Sequence, residues 1–153
     1  MQAISVRQPY AWAIARGHRR ISNQEEPTDY RGTVLVHAAM RVDLDSCALP
    51  QVREAGWNPD DPLAALGAVI AVAEVTDVCG ATAGRRDAVC DCGSWARPGE
   101  YHWRLGGLRP LRRPIMALGR QGGLWTPQDS LVADVRAMLI EPPVRPALIA
   151  NRT

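Results

Sequence analysis

The apolar and polar positions of the chain predict a series of strands broken by short helices. Ala3-Ile4-Ser5-Val6 alternates briefly and predicts a strand ending at the Gln8-Pro9 break. Tyr10 to Arg16 carries strong helix formers with an apolar face at Trp12, Ala13 and Ile14. Pro9 suits the first helical position and Gly17 the C-terminal stop. Arg19 to Gln24 predicts a short strand, and Thr33 to Ala39 a buried one. A short helix capped at Asp45 or Ser46 runs through Glu54 and closes at Gly56, and Asn58 to Pro62 forms a loop. Gly67 to Val78 is the strongest strand, rich in Val.

The second half is less regular. Residues 79 to 99 hold Gly, Asp, Arg and three of the four Cys, and predict a long surface excursion. Tyr101 to Leu105 returns as a strand, and Pro110 and Pro114 bracket another short extended piece. Gly119 to Trp125 is a turn feeding a last strand. Thr126 then caps a helix whose Leu131, Val132, Val135, Met138 and Leu139 share one face, spanning about 127 to 140. The tail from Glu141, with Pro142, Pro143 and Pro146, is expected to be extended. Strands without a helix between each successive pair exclude a parallel α/β fold. The expected class is α+β: a small, mixed, partly closed β-barrel with two or three flanking helices.

Composition narrows the class of partner. The 153 residues are the size of one domain, and a hydrophobic fraction of 46% is enough to build a core. All 18 basic side chains are Arg, and 16 acidic residues leave a net charge of +2, which excludes binding through bulk positive charge. Phe is absent, so the rings are five Trp and three Tyr, which need polar partners when buried. The longest apolar run, Leu66 to Val75, is about half a membrane span. With no leader-like opening, a cytoplasmic domain without a membrane partner is expected, its four cysteines as thiols.

Several separated motifs resemble the ASCH domain family of the PUA-like superfamily. Ile4-Ser-Val-Arg-Gln-Pro-Tyr-Ala-Trp12 is similar to the family's opening S-x-R-Q-P-[WY]-A. Residues 17 to 24 fall on its signature G-x-K-x-x-E-x-R, and Tyr30 to Ala38 resembles its Y-R-G…IHA strand. Trp95-Ala, Gly99 to Trp103, Arg109-Pro-Leu and Gly119 to Trp125 follow its closing half in order. The resemblance implies an ASCH/PUA-like barrel over residues 1–125, with residues 126–153 as a C-terminal helix and tail packed on or appended to it. It also implies a cleft between the first helix and the sheet, suited to RNA or a nucleotide-sized ligand. Small members resemble hydrolases of acylated cytidine, including N4-acetylcytidine, or nucleases.

The signature is altered at three positions: its Lys is Arg19, its Glu is Ser22 and its Arg is Gln24. A guanidinium keeps the charge but does not deprotonate to act as nucleophile or base. Binding is therefore expected ahead of catalysis, with an amidohydrolase or ribonuclease as the alternative. The expected ligand residues are Arg7, Gln8, Pro9, Trp12, Gly17, Arg19, Ser22, Gln24, His37 and His102. Guanidinium for phosphate beside a ring for a base is the mixture that single-stranded nucleic acid needs, with Trp12 or Tyr30 as the ring. Trp12 also reads as core. Should catalysis survive, Arg19, Ser22 and Glu74 are its candidates, Glu74 either pairing with an Arg in the cleft or lying solvated outside it. No cofactor and no metal are expected. Cys79, Cys90 and Cys92, near His102 in sequence, are the candidate ligands if a metal binds, although C-x-C is tighter than the usual zinc spacing.

Overall fold

The computed structural model describes residues 1–80 and 92–139. The candidate ligand Cys90 and the proline-rich tail lie outside them. Strand β1 (Gln2–Gln8) leads into helix α1 (Tyr10–Ala15), followed by β2 (Ile21–Gln24) and β3 (Gly32–Val42). Helix α2 (Pro50–Glu54) precedes β4 (Ala68–Gly80), β5 (Tyr101–Met116), β6 (Leu124–Trp125) and helix α3 (Asp129–Met138). The strands form a six-stranded sheet in the order β2-β5-β4-β3-β1-β6. Among the described residues only β1 and β3 run parallel, joined through α1 and β2, and the other strand pairings are antiparallel. The fold is thus α+β, as expected. β2 and β6 stand at opposite ends of the order, with no pairing between them among the described residues.

Alternation along the central strands divides the core in two. Ile4, Val34, Val36 and Ile70 point to one face, where they pack with Trp12 and Ile14 of α1 and with Trp103. Ala3, Leu35 and Val69 point to the other, beneath Val135 of α3, with Leu111 and Trp125. A sheet covered on both faces needs continuous apolar strands, which is why β3 and β4 read as runs rather than alternations.

Three expectations change. The pieces 101–105 and 110–114 are one sixteen-residue strand, β5. Pro110 is tolerated because β2 pairs only with Tyr101 to Arg104, so the outer edge of β5 at Pro110 carries no β2 ladder to break. The helix expected from Asp45 to Glu54 is a 3-10 turn (Asp45–Ala48) and then α2, because Leu49 is extended before Pro50. Finally, α3 begins at Asp129 after Gln128, and Thr126 hydrogen-bonds to Gln2 instead of capping it. No helix among the described residues is long and apolar enough to cross a membrane.

Candidate ligand-binding site

A cavity of about 460 Å³ opens where the end of β1, the start of α1 and the edge strand β2 meet. Ser5 and Arg7 come from β1, Tyr10 from α1, and Ser22, Asn23 and Gln24 from β2. Asp43, Arg97 and Glu100 close the opposite side, with Gln121 and Gly122 from the loop before β6. The volume falls in the range of small-ligand sites.

Arg19 is the central group. Beyond the C-terminus of α1 stands Gly17, whose left-handed backbone (φ +80°) lets the amides of His18 and Arg19 both donate to the carbonyl of Ala13. That tight return turns Arg19 inward, where only 3% of it remains exposed. Its guanidinium lies 4.5 Å from the centroid of the Tyr10 ring. Its Nε has no hydrogen-bond partner among the described residues, and no described carboxylate lies within ion-pair distance of it. Burial pulls its pKa down to about 10, with the Tyr10 hydroxyl and Glu100 partly opposing and Arg97 adding to the shift. Arg19 is still a cation at neutral pH. It is a buried charge compensated within the described protein by an aromatic face and, from beyond ion-pair distance, by Glu100.

The neighbouring groups are arranged around it. Gln24 Nε2 donates to Ser22 Oγ at 2.9 Å on the cavity side of β2. Asn23 holds the segment 92–100 in place: its Nδ2 donates to the Trp95 carbonyl, and its Oδ1 accepts from the Arg97 amide. Arg97 thereby reaches the other side of Tyr10's surroundings, 5.8 Å from its ring, with Asp43 at 4.0 Å. Tyr10 itself is anchored by its hydroxyl, which donates to Ser46 Oγ at 2.7 Å.

Several expected ligand residues do other work. Gln8 is fully buried; its Nε2 donates to the carbonyls of Leu63 and Ala65, and its Oε1 accepts from the Trp12 amide. Its amide thus ties the first turn of α1 to the loop before β4 and does not line the cavity. Pro9 is buried at the N-cap of α1, and Gly17 serves the turn. Trp12 is core: its Nε1 donates to Asp61 Oδ2 at 3.0 Å, and its ring meets Trp57 edge-on. Tyr30 donates to the Thr33 carbonyl and packs against the core, so Tyr10 takes the place expected for a ring in the cleft. Glu74 is exposed and lies beside Gly107, outside the cavity; no pair with Arg19 forms.

Neither histidine lines the cavity. His37 Nε2 lies 2.8 Å from the Ala117 carbonyl, which only accepts, so Nε2 carries the proton. Nδ1 then accepts from Ser5 Oγ at 3.0 Å, and Ser5 Oγ accepts from Trp125 Nε1. Burial pushes this imidazole's pKa down, opposed by the bond to Ala117. His102 Nε2 similarly donates to the Arg97 carbonyl at 2.7 Å. Arg7, Arg19, Ser22 and Gln24 are the expected residues that do line the cavity. Tyr10, Asp43, Arg97 and Glu100 were missed, because three of them come from distant segments whose approach no local spacing signals. Among known proteins, no family model matches the chain, and no curated protein is significantly similar to it.

Proposed function

We propose that the chain is a cytoplasmic ASCH-type, PUA-like module that binds RNA, or a nucleotide-like ligand, in the cavity at Arg19. The observation that carries this reading is a buried guanidinium with an unpartnered Nε, held against Tyr10 in a cavity of nucleotide size. A desolvated cation with no carboxylate in ion-pair contact among the described residues is matched by an incoming anion, and a phosphate satisfies its planar donors. Gln24 supplies an amide that suits a base edge. The reading is also supported by the meeting of two motif stretches, 4–12 and 17–24, at this one cavity. The same cleft as a hydrolase or ribonuclease site is the alternative. It is disfavoured because Ser22 Oγ is engaged by an amide donor, which does not activate it as a nucleophile.

The test is fluorescence anisotropy with short single-stranded RNA, with a mononucleotide as competitor, on the wild type and Arg19→Ala. Binding is expected to be salt-dependent and lost in the variant. Unchanged RNA affinity in Arg19→Ala would refute the assignment. Competition by the mononucleotide would identify the nucleotide-like ligand, and failure to compete would identify the polymer.

A further inference from the structure

Strands β4 and β5 pair so that Cys79 stands directly opposite His102. Opposed residues of an antiparallel pair project to the same face with their Cβ atoms about 5 Å apart. The chain then re-enters at Cys92, bringing its Sγ to 3.0 Å from that of Cys79. A ring nitrogen of His102 and the two Sγ atoms lie within 4.8 Å of one another. Three residues from two strands and one connecting segment therefore converge on one point. This cluster is separate from the cavity, which none of the three lines.

We propose that Cys79, Cys92 and His102 bind a zinc-class divalent cation. Thiolate and imidazole are the donors that zinc prefers, and a metal–sulfur distance of about 2.3 Å in tetrahedral geometry sets two sulfurs about 3.8 Å apart. Opening the present sulfur pair by less than about 1 Å, through side-chain rotation, meets that requirement. His102 is already oriented for the role. Its Nε2–H donates to the Arg97 carbonyl, so Nδ1 is the nitrogen that would ligate. A ligating histidine normally has its second nitrogen fixed in this way.

The site would have a structural effect. It would staple Cys92 to the adjoining ends of β4 and β5, at the root of the 92–100 segment that carries Arg97 and Glu100 to the cavity. The spacing C-x-C does not reveal it, because its ligands are a cross-strand pair plus one return. The inference stands independently of what the cavity binds.

The test uses the full chain, purified under reducing conditions and stripped of metal, titrated with zinc alone and separately with cobalt alone. The expected result is one metal ion per chain, a thiolate-to-cobalt charge-transfer band, and protection of thiols from a disulfide reagent on adding zinc. Cys79→Ser and His102→Gln should lose stoichiometric binding, while Cys47→Ser should keep it. Absence of the charge-transfer band in the wild type would overturn the proposal without any variant needing to fold. So would recovery of Cys79 and Cys92 joined as a disulfide that persists in reductant, or metal binding undiminished in both ligand variants.

Discussion

The guanidinium of Arg19 packs 4.5 Å from the centre of the Tyr10 ring, and the hydroxyl of the same tyrosine is fixed by Ser46. The ring is thus anchored before any ligand arrives. It presents one face to a buried cation and has a second guanidinium, that of Arg97, at 5.8 Å. A cation over an aromatic face that excludes water gains about 2 kcal/mol, well short of what burial of a charge costs. Glu100 offsets part of the remainder, and on the proposed reading a bound anion would supply the rest.

Tyr10→Ala should therefore weaken RNA binding about 10-fold or more, by removing roughly 1–2 kcal/mol of cation–π support. Tyr10→Phe keeps the ring and loses the hydroxyl's interactions with Ser46 and Arg97, so its affinity should fall less than that of Tyr10→Ala. Anisotropy titrations of the two variants in parallel separate the ring from the hydroxyl. Equal losses would assign the role to the hydroxyl instead.

Gln8→Ala tests the reassignment of that residue from ligand to scaffold. It leaves two carbonyls and the Trp12 amide without their partner in a fully buried position. The expected cost is about 2–4 kcal/mol of stability, read from denaturant midpoints. The folded fraction should bind RNA as the wild type does. A variant of normal stability with lost binding would restore the ligand role.

Acid should destabilise the fold in two stages. The His37 pKa is depressed in the fold by burial, so its contribution is complete above about pH 6.5 and is lost as pH falls below that value. Asp61 is held at about 2 by the Arg16 guanidinium, against desolvation, with the Leu63 amide and Trp12 indole assisting. Its contribution is complete above the ordinary carboxylate range and is lost as pH falls through about 2. Asp61→Asn should cost about 1–2 kcal/mol at neutral pH, discounted because Arg16 is partly exposed, and should flatten the lower stage alone. Thermal melts from pH 7 to pH 2 on wild type and variant check both the sign and the window.

Incubation with N4-acetylcytidine, followed by chromatography, should give no deacetylation beyond that of Ser22→Ala. The Ser22 hydroxyl accepts from Gln24 Nε2, and His37 and His102 are engaged elsewhere with backbone carbonyls. Turnover that disappears in Ser22→Ala would move the hydrolase reading ahead of binding.

The paired runs Thr33–Ala39 and Gly67–Val78, the short helix after Pro9 and the turn at Gly17 are legible from pattern, because burial on both faces and backbone chirality leave marks in sequence. Strand β5 is not, since Pro110 and Pro114 read as boundaries until it is known that β2 pairs only as far as Arg104. The site divides in the same way. Arg19, Ser22 and Gln24 sit on one local segment and can be found together. Gln8 looks the same as a ligand amide until its three partners are seen, two of them more than fifty residues away. Tyr10 and Arg97 become a pair only through Asn23, which holds the 92–100 segment against β2.

The central claim is that Arg19 is kept charged, buried and incompletely partnered for the sake of a ligand. Arg19→Met separates that claim from a structural role most directly. Replacing an under-compensated buried cation by an apolar side chain of similar length should stabilise the ligand-free fold by about 1–3 kcal/mol. That corresponds to roughly 3–10 °C in Tm, measured by calorimetry without RNA. The same protein should fail to bind single-stranded RNA. A variant that melts lower than wild type, or one that still binds, would contradict the account.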